Sequence, residues 1–575
     1  MGVLRRGLSR RRESGAGVVS LGRLKPAPAS RRIPLFLAAA AAVLYLVAAA
    51  GRDVWSPDEP DFAEHVREML ERRSLLLPYE NGKPYSEKPI LFYWAMAATT
   101  PLSGGDVHPL ATRLPSVLSG AALVFAAAWF AGRRGGAREA LVAGAATAVT
   151  PIVFWQAQYL QVDALFSCLL MLAFVSLYFV EEGKREEFLE GEEKKSSDAG
   201  PWLWVLRLSL AAAVLTKGPL AVVLAGLVVL ARCVEARSTR LLRDLQPIRS
   251  IFIFLLLVVP WYFFAARAGG PEYAYDLVVN QNWNRFFEAF DHIQPWWFYF
   301  ESMWSDFFPW TALAVAAAVV LGRAGLFRTR PDLAFSATVS AVCFVFLSAS
   351  QAKQGKYLLV TYPFAAVLVA ALAVEAERQA AAGGRAALRA VRGWVAIVAV
   401  LLLAAAGALV PVARRFAPGQ AGLAPFVAIP LVFGGAATLV VLARRRREAV
   451  PALLALAAAL AAGEVAAGAV VFPAIDVLKT GRPFYERLRP RVSHGEPLAY
   501  FGGTYRCYAI LVLRRKTEHF RTDAALAEWV ERTPGALVLA AECERQYWSD
   551  PRLSALRVLD RQRVGGDEAL LLGRP

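Results

Sequence analysis

Residues 33–60 read IPLFLAAAAAVLYLVAAAGRDVWSPDEP. Residues 33–50 carry no charge and, as a helix, are long enough to cross roughly 30 Å of hydrocarbon. The chain then turns abruptly to Asp58, Glu59, Asp61 and Glu64 within PDEPDFAEHVREML. An apolar run that ends in clustered acid reads as a membrane span opening onto an aqueous or polar cavity.

The rest of the chain repeats the first half of that pattern. Of 575 residues 57% are hydrophobic and only 19% charged, more apolar than a water-soluble domain sustains. Apolar intervals predict about thirteen spans, near 33–50, 110–131, 138–156, 162–180, 201–216, 218–234, 250–267, 303–322, 333–350, 357–376, 393–412, 425–443 and 449–473. The net charge of +17 sits in the N-terminal tail 1–32 and in alternate gaps, at 133–138, 232–243, 323–330, 378–392 and 444–447. That alternation is the positive-inside pattern, which accounts for the charge without nucleic acid. It places the N-terminus in the cytoplasm and, with an odd number of spans, the C-terminus outside. The first run also ends in a small-residue triplet, as a signal peptide does, but its long basic leader fits an uncleaved span better.

The domains follow: a basic cytoplasmic tail at 1–32, a transmembrane region at 33–475 with long outer loops at 51–109 and 269–302, and a small outer α/β domain at 476–575. In the first loop, Phe62, Val66, Met69 and Leu70 recur at helical spacing and predict a helix lying in the membrane interface. Residues 90–99 are too short to span. The second loop, with Trp283, Trp296 and Trp297, predicts an interfacial lid, the alternative being a plain aromatic belt. In the C-terminal domain, 498–501 and 536–540 read as strands, 522–532 as a helix, and 556–563 with 568–572 as a hairpin. Cys507 and Cys543 are the two cysteines that could pair in an oxidising compartment, or else simply fill space in the core.

Four polar groups stand at the outer ends of spans. Asp58 and Glu59 follow the first span; the alternative to chemistry is a helix cap with a favourable first-turn charge. Tyr85, Glu87 and Lys88 precede the short apolar piece, where Lys88 either meets a lipid phosphate or snorkels. Asp163 begins the fourth predicted span, as a buried functional acid or as a cap. Arg285, in NQNWNRFF with Asn282, can clamp a phosphate. Lys217 in LTKGP, and Lys353, Lys356 and Tyr357 in SQAKQGKY, add positive charge on the same side. Acids facing cations there suit an anionic lipid with a polar head.

PDEPDFAEHVREML, GKPYSEKPILFYW, QVDALFSCLL, LTKGPLAVVL, NQNWNRFF with QPWWFY, and SQAKQGKYLLVTYP occur in this order across residues 33–364. In order and placement they resemble the membrane-embedded GT-C glycosyltransferases, within the aminoarabinose-transferase (ArnT-like) and protein O-mannosyltransferase group. The resemblance implies a mainly α, polytopic GT-C fold with a small periplasmic C-terminal domain, in a bacterial inner membrane. It implies inverting transfer of a sugar from a polyprenyl-phosphate donor to lipid A, another glycolipid or a protein. Asp58, with Glu59 beside it, and Asp163 fall on the catalytic acids, and Lys88, Arg285 and Lys217 on the donor phosphate; Tyr85, Glu87, Asn282, Tyr357 and Lys356 line the cavity. Relatives with a metal here carry a histidine where this chain has Asn282, opposite Glu87, so no metal is expected. A lipid-linked-sugar flippase, or a scaffold whose outer domain binds an envelope partner, are the competing classes; the chain is expected to be monomeric.

Overall fold

The computed structural model describes residues 31–190, 199–284, 292–416, 418–492, 495–504 and 506–574. Helix α1 spans Arg32–Ala49 and packs along α4, Pro109–Ala148. α4 contains two of the expected spans. Gly136, at φ 74°, ψ −169°, breaks it, and a Cβ added at Gly132 or Gly144 would meet the Cβ of Ala140 or Ala128 at 3.0 or 2.8 Å. Residues sixteen apart on a straight helix lie about 24 Å apart, so the two halves form an antiparallel hairpin folded at Gly136. Gly120 gives a similar close approach, with Ala157 and Tyr45 in the space a Cβ would take. The Tyr45 hydroxyl donates to the Ala148 carbonyl at 2.9 Å and locks α1 against that hairpin.

The bundle continues through α5 (Pro151–Ala157), α6 (Asp163–Glu190), α7 (Ala199–Lys217) and α8 (Leu220–Ala236), then through helices Pro247–Tyr275, Pro331–Ala349, Tyr362–Ala381, Ala386–Phe416, Ala424–Arg444 and Val450–Ala466. Eight described helices are long and apolar enough to cross a membrane, or nine if Phe298–Asp306 and Thr311–Arg323, bent by 107°, make one broken span. Pro247–Tyr275 buries only Val258, Trp261, Ala265 and Tyr273 and exposes Phe252, Leu256 and Phe263, as expected of a helix facing lipid rather than water.

The alternate basic gaps meet at one end of the bundle. Arg330 bridges Glu139 and Asp332, Arg138 pairs with Glu377, Glu377 accepts the Ala449 and Val450 amides, Arg392 donates to the Arg445 and Glu448 carbonyls, and Arg232 holds Glu181 and Glu235. The spacing that suggested one side of a membrane corresponds to one face of the fold.

The opposite end carries the loops and the C-terminal domain. In the first loop, α2 covers Asp58–Glu71, β1 (Tyr79–Glu80) pairs with β2 (Lys83–Pro84), and α3 is Leu91–Ala97. The interfacial placement expected for α2 is corrected: residues Ala63–Met69 are all buried, with Phe62 edge-on to Phe92 of α3 and the C-terminal helix Arg506–Leu513 packed on the other side. Its apolar stripe meets protein. Residues 269–284 continue the preceding helix into a π-helical segment, Asp276–Asn284; residues 285–291 lie outside the described residues, and Trp296 and Trp297 are exposed.

The C-terminal sheet has the order β4-β3-β5-β7-β6, from strands β3 (Leu498–Phe501), β4 (Glu518–Phe520), β5 (Leu537–Ala541), β6 (Arg557–Val564) and β7 (Asp567–Gly573). β3 runs parallel to β4 and β5, and β6–β7 closes the edge as an antiparallel hairpin. Three clamps dock the domain on the first loop. Arg482 takes Asp53 in a fork at 2.7 and 2.9 Å, Asn81 and Thr517 exchange hydrogen bonds at 2.7 and 3.1 Å, and the Tyr508 hydroxyl donates to the Val54 carbonyl. The candidate disulfide is absent: Cys543 is exposed, and the buried Cys507 thiol donates to Glu80 at 3.3 Å.

Candidate active site

The site forms where α1 ends, α2 begins, and the α5–α6 and α7–α8 connections meet the turn at Gly355–Val360. Its foundation is Glu59, which is fully buried. Arg52 Nη1 donates to it at 2.8 Å, Arg113 Nε and Nη2 at 2.8 and 2.6 Å, and the Trp55 and Leu160 amides at 2.7 and 3.0 Å. Arg113, also fully buried, spends its remaining N–H groups on the carbonyls of Ala49, Arg52 and Asp53. Burial alone would raise the Glu59 carboxyl, but Arg113 and Arg52 outweigh it and hold its pKa at about 2. Both oxygens are thus committed to binding α1, α2 and the α5–α6 turn together. Glu59, expected beside Asp58 as a second catalytic acid, has both oxygens taken up by protein donors.

Asp58, one residue earlier, is half-buried and accepts a hydrogen bond from Gln161 Nε2. Burial pushes its pKa above the usual aspartate value; the Lys356 ammonium pulls it back, and the negative charge of Asp163 pushes it up again. Asp163 is buried at the first turn of α6 and pairs with Lys217, the last residue of α7. The Lys217 ammonium lies 4.3 Å from the Tyr357 ring centroid and 5.4 Å from that of Phe166. Lys217, Lys356 and Lys88 all act electrostatically on Asp163. Five residues named from the sequence, Asp58, Asp163, Lys217, Lys356 and Tyr357, therefore meet in one place. Lys88, half-buried, joins them by charge while its ammonium donates to the Glu87 carbonyl at 3.2 Å.

Others stand apart. Tyr85 stacks on His65 at 3.8 Å, and the Glu87 side chain is exposed. Among the described residues, Glu87 belongs to no cluster of three His, Cys, Asp or Glu ligand atoms. Asn282 falls in the π-helical segment, and Arg285 lies outside the described residues. Lys353 has a structural task, its ammonium donating to the carbonyls of Gln294 and Ser350. Sequence reasoning missed Arg52, Arg113 and Gln161. Arg113 carried a signal, an arginine one turn inside an apolar run, which has to find a partner.

The arrangement is a carboxylate of raised pKa facing lysines at the polar mouth of an apolar bundle. It can take a proton from an acceptor hydroxyl while cations neutralise a phosphate.

The sequence pattern of the family described as dolichyl-phosphate-mannose-protein mannosyltransferase matches residues 30–268. An undecaprenyl phosphate-alpha-4-amino-4-deoxy-L-arabinose arabinosyl transferase of Serratia proteamaculans is 30% identical over 386 residues, 64% of each chain. An enzyme of the same description from Sodalis glossinidius is 28% identical over 431 residues, 73% of each. The fold matches the crystal structure of ArnT from Cupriavidus metallidurans bound to undecaprenyl phosphate, with a TM-score of 0.74 and 19% identity over 95% of this chain and 98% of that one. The archaeal oligosaccharyltransferase AglB of Archaeoglobus fulgidus matches less closely, with a TM-score of 0.51 and 10% identity over 88% of this chain and 69% of that one. Six ordered motifs, the acid and lysine cluster they form, and these likenesses make the chain similar to the GT-C membrane glycosyltransferases, in particular to the group of ArnT-like aminoarabinose transferases and protein O-mannosyltransferases.

Proposed function

We propose that the chain is an inverting glycosyltransferase that moves a sugar from an undecaprenyl-phosphate donor to lipid A, another glycolipid or a protein. It works at the periplasmic face of a bacterial inner membrane, with thirteen crossings, the N-terminus in the cytoplasm and the C-terminal domain outside. One observation carries the reading: Asp58, Asp163, Lys217 and Lys356 converge in an ArnT-like fold, with the Asp58 carboxylate only half-buried. The relatives' names supply the donor class.

In this reading Asp58 accepts the acceptor hydroxyl proton as that oxygen attacks the anomeric carbon. The glycosidic C–O bond breaks with its electron pair going to the phosphate, and Lys88, Lys217 and Arg285 stabilise that charge. Displacement in one step inverts the anomeric carbon. Asp163 positions the Lys217 ammonium rather than touching substrate, and no step passes through a metal. Purified protein given undecaprenyl-phosphate aminoarabinose and lipid A is expected to yield lipid A heavier by one sugar residue, detected by mass spectrometry. No transfer to lipid A, glycolipid or protein acceptors from any undecaprenyl-phosphate sugar, by folded protein, sinks the reading.

The electrostatics add a pH prediction. Asp58 works as a carboxylate, so kcat/KM falls as pH drops through its pKa, and burial puts that limb above the usual aspartate range. Lys356→Met removes the cation that lowers this pKa, so the acid limb moves to still higher pH. A limb unmoved, or moved to lower pH, separates Lys356 from Asp58.

A further inference from the structure

Away from the acid and lysine cluster, three side chains from three elements, two in the first loop and one in the C-terminal domain, turn toward one point. They are His65 in the middle of α2, Glu80 at the end of β1, and Cys507 in the C-terminal helix Arg506–Leu513. Their ligand atoms all lie within 4.8 Å of one another. The Cys507 Sγ is 3.3 Å from Glu80 Oε1, and His65 Nε2 is 3.5 Å from Glu80 Oε2. His65 is 1% exposed, and neither of its ring nitrogens makes a hydrogen bond, although the imidazole has a donor and an acceptor to satisfy. Tyr85 stacks on its face at 3.8 Å and Tyr93 stands edge-on at 5.9 Å, which fixes the ring's plane.

We propose that His65, Glu80 and Cys507 form a binding site for a thiophilic divalent cation of the zinc type. The donor set is one imidazole nitrogen, one carboxylate oxygen and one thiolate sulfur, a mixture suited to zinc rather than to magnesium or calcium. A tetrahedral zinc with ordinary bond lengths sets its nitrogen and oxygen ligands about 3.3 Å apart and its sulfur and oxygen about 3.5 Å apart. The observed separations are of this size but run to different oxygens of the Glu80 carboxylate, 3.5 Å from His65 Nε2 to Oε2 and 3.3 Å from Cys507 Sγ to Oε1, so either oxygen is within reach of an ion held by the other two ligands. Neutral imidazole, carboxylate and thiolate together carry two negative charges, so a divalent cation makes the buried cluster neutral. Water completes the tetrahedron.

Such an ion joins α2, the β1–β2 hairpin and the C-terminal domain at one point. α2 begins with Asp58, seven residues or about two turns before His65. The site is therefore structural: it holds the outer domain on the helix that presents Asp58, and its existence does not depend on the proposed transfer reaction.

Elemental analysis of the full-length protein, purified in detergent with zinc and then freed of loose metal, is expected to find about one zinc per chain. Cobalt in its place gives the strong near-ultraviolet absorption of a cobalt–thiolate bond. Cys507→Ser abolishes that band, and Cys507→Ser and His65→Gln each lower zinc occupancy by roughly tenfold or more. Wild-type protein that holds no zinc and shows no thiolate band with cobalt overturns the proposal, leaving His65 and Glu80 side by side next to an ordinary thiol. Zinc retained at full occupancy in both variants overturns it equally. The cobalt spectrum of the wild type decides the matter even where a variant does not fold.

Discussion

Asp58→Asn is expected to lower kcat for sugar transfer by about 10²–10⁴-fold, the range over which a positioned general base contributes. The substitution keeps the shape and an oxygen that can still accept from Gln161, so the hydrogen bond at the mouth of the site survives. What disappears is the capacity to hold a proton. Lys217 and Asp163 remain paired, and the donor phosphate still meets its lysines, so the KM for the donor changes little while kcat collapses. Steady-state kinetics with saturating donor, together with a melting curve matching the wild type, separates lost chemistry from lost folding. A kcat within about tenfold of wild type in folded protein removes Asp58 as the base.

How far such a residue could be picked out beforehand depends on where its signal resides. The apolar intervals, the basic gaps that converge at one face, and four of the five C-terminal strands were legible, because period and composition are local properties; the three-residue edge strand β4 is too short to show a period. Asp58 and Glu59 were harder to tell apart. They are adjacent acids with the same neighbours, and what separates them is Arg113, 54 residues away, which claims Glu59 and leaves the half-buried Asp58 to Gln161. The apolar stripe of α2 was legible as well, but a stripe does not reveal whether lipid or protein covers it. Cover comes from the Arg506–Leu513 helix, whose Cys507 lies 427 positions beyond Glu80 in the sequence. The same distance hid the grouping of His65, Glu80 and Cys507, whose spacing matches no compact metal motif.

Glu59→Gln is expected to destabilise the fold by about 3–5 kcal/mol, the usual cost of leaving buried charge without its partner. Five N–H groups converge on the two carboxylate oxygens at 2.6–3.0 Å, three of them from arginines. An amide offers one oxygen and turns two donors against the rest, while Arg52 and Arg113 both lose the carboxylate they hydrogen-bond. The pH dependence points the same way. A carboxyl held at about 2 when folded and at 4.5 when unfolded contributes stability that is fully present above pH 4.5 and lost as pH falls through about 2. That shift corresponds to about 3 kcal/mol, so the wild type loses its advantage over Glu59→Gln across this acid window. Thermal melting in detergent at neutral and acid pH measures both effects, and a loss below about 1 kcal/mol at neutral pH refutes the assignment of Glu59 as the anchor. Arg113→Met alone is also costly, because it strips Glu59 of two donors. In the double variant neither group leaves the other stranded, so the combined loss is expected to be smaller than the sum of the two by at least about 1 kcal/mol, and that coupling distinguishes a direct pair from two independent structural defects.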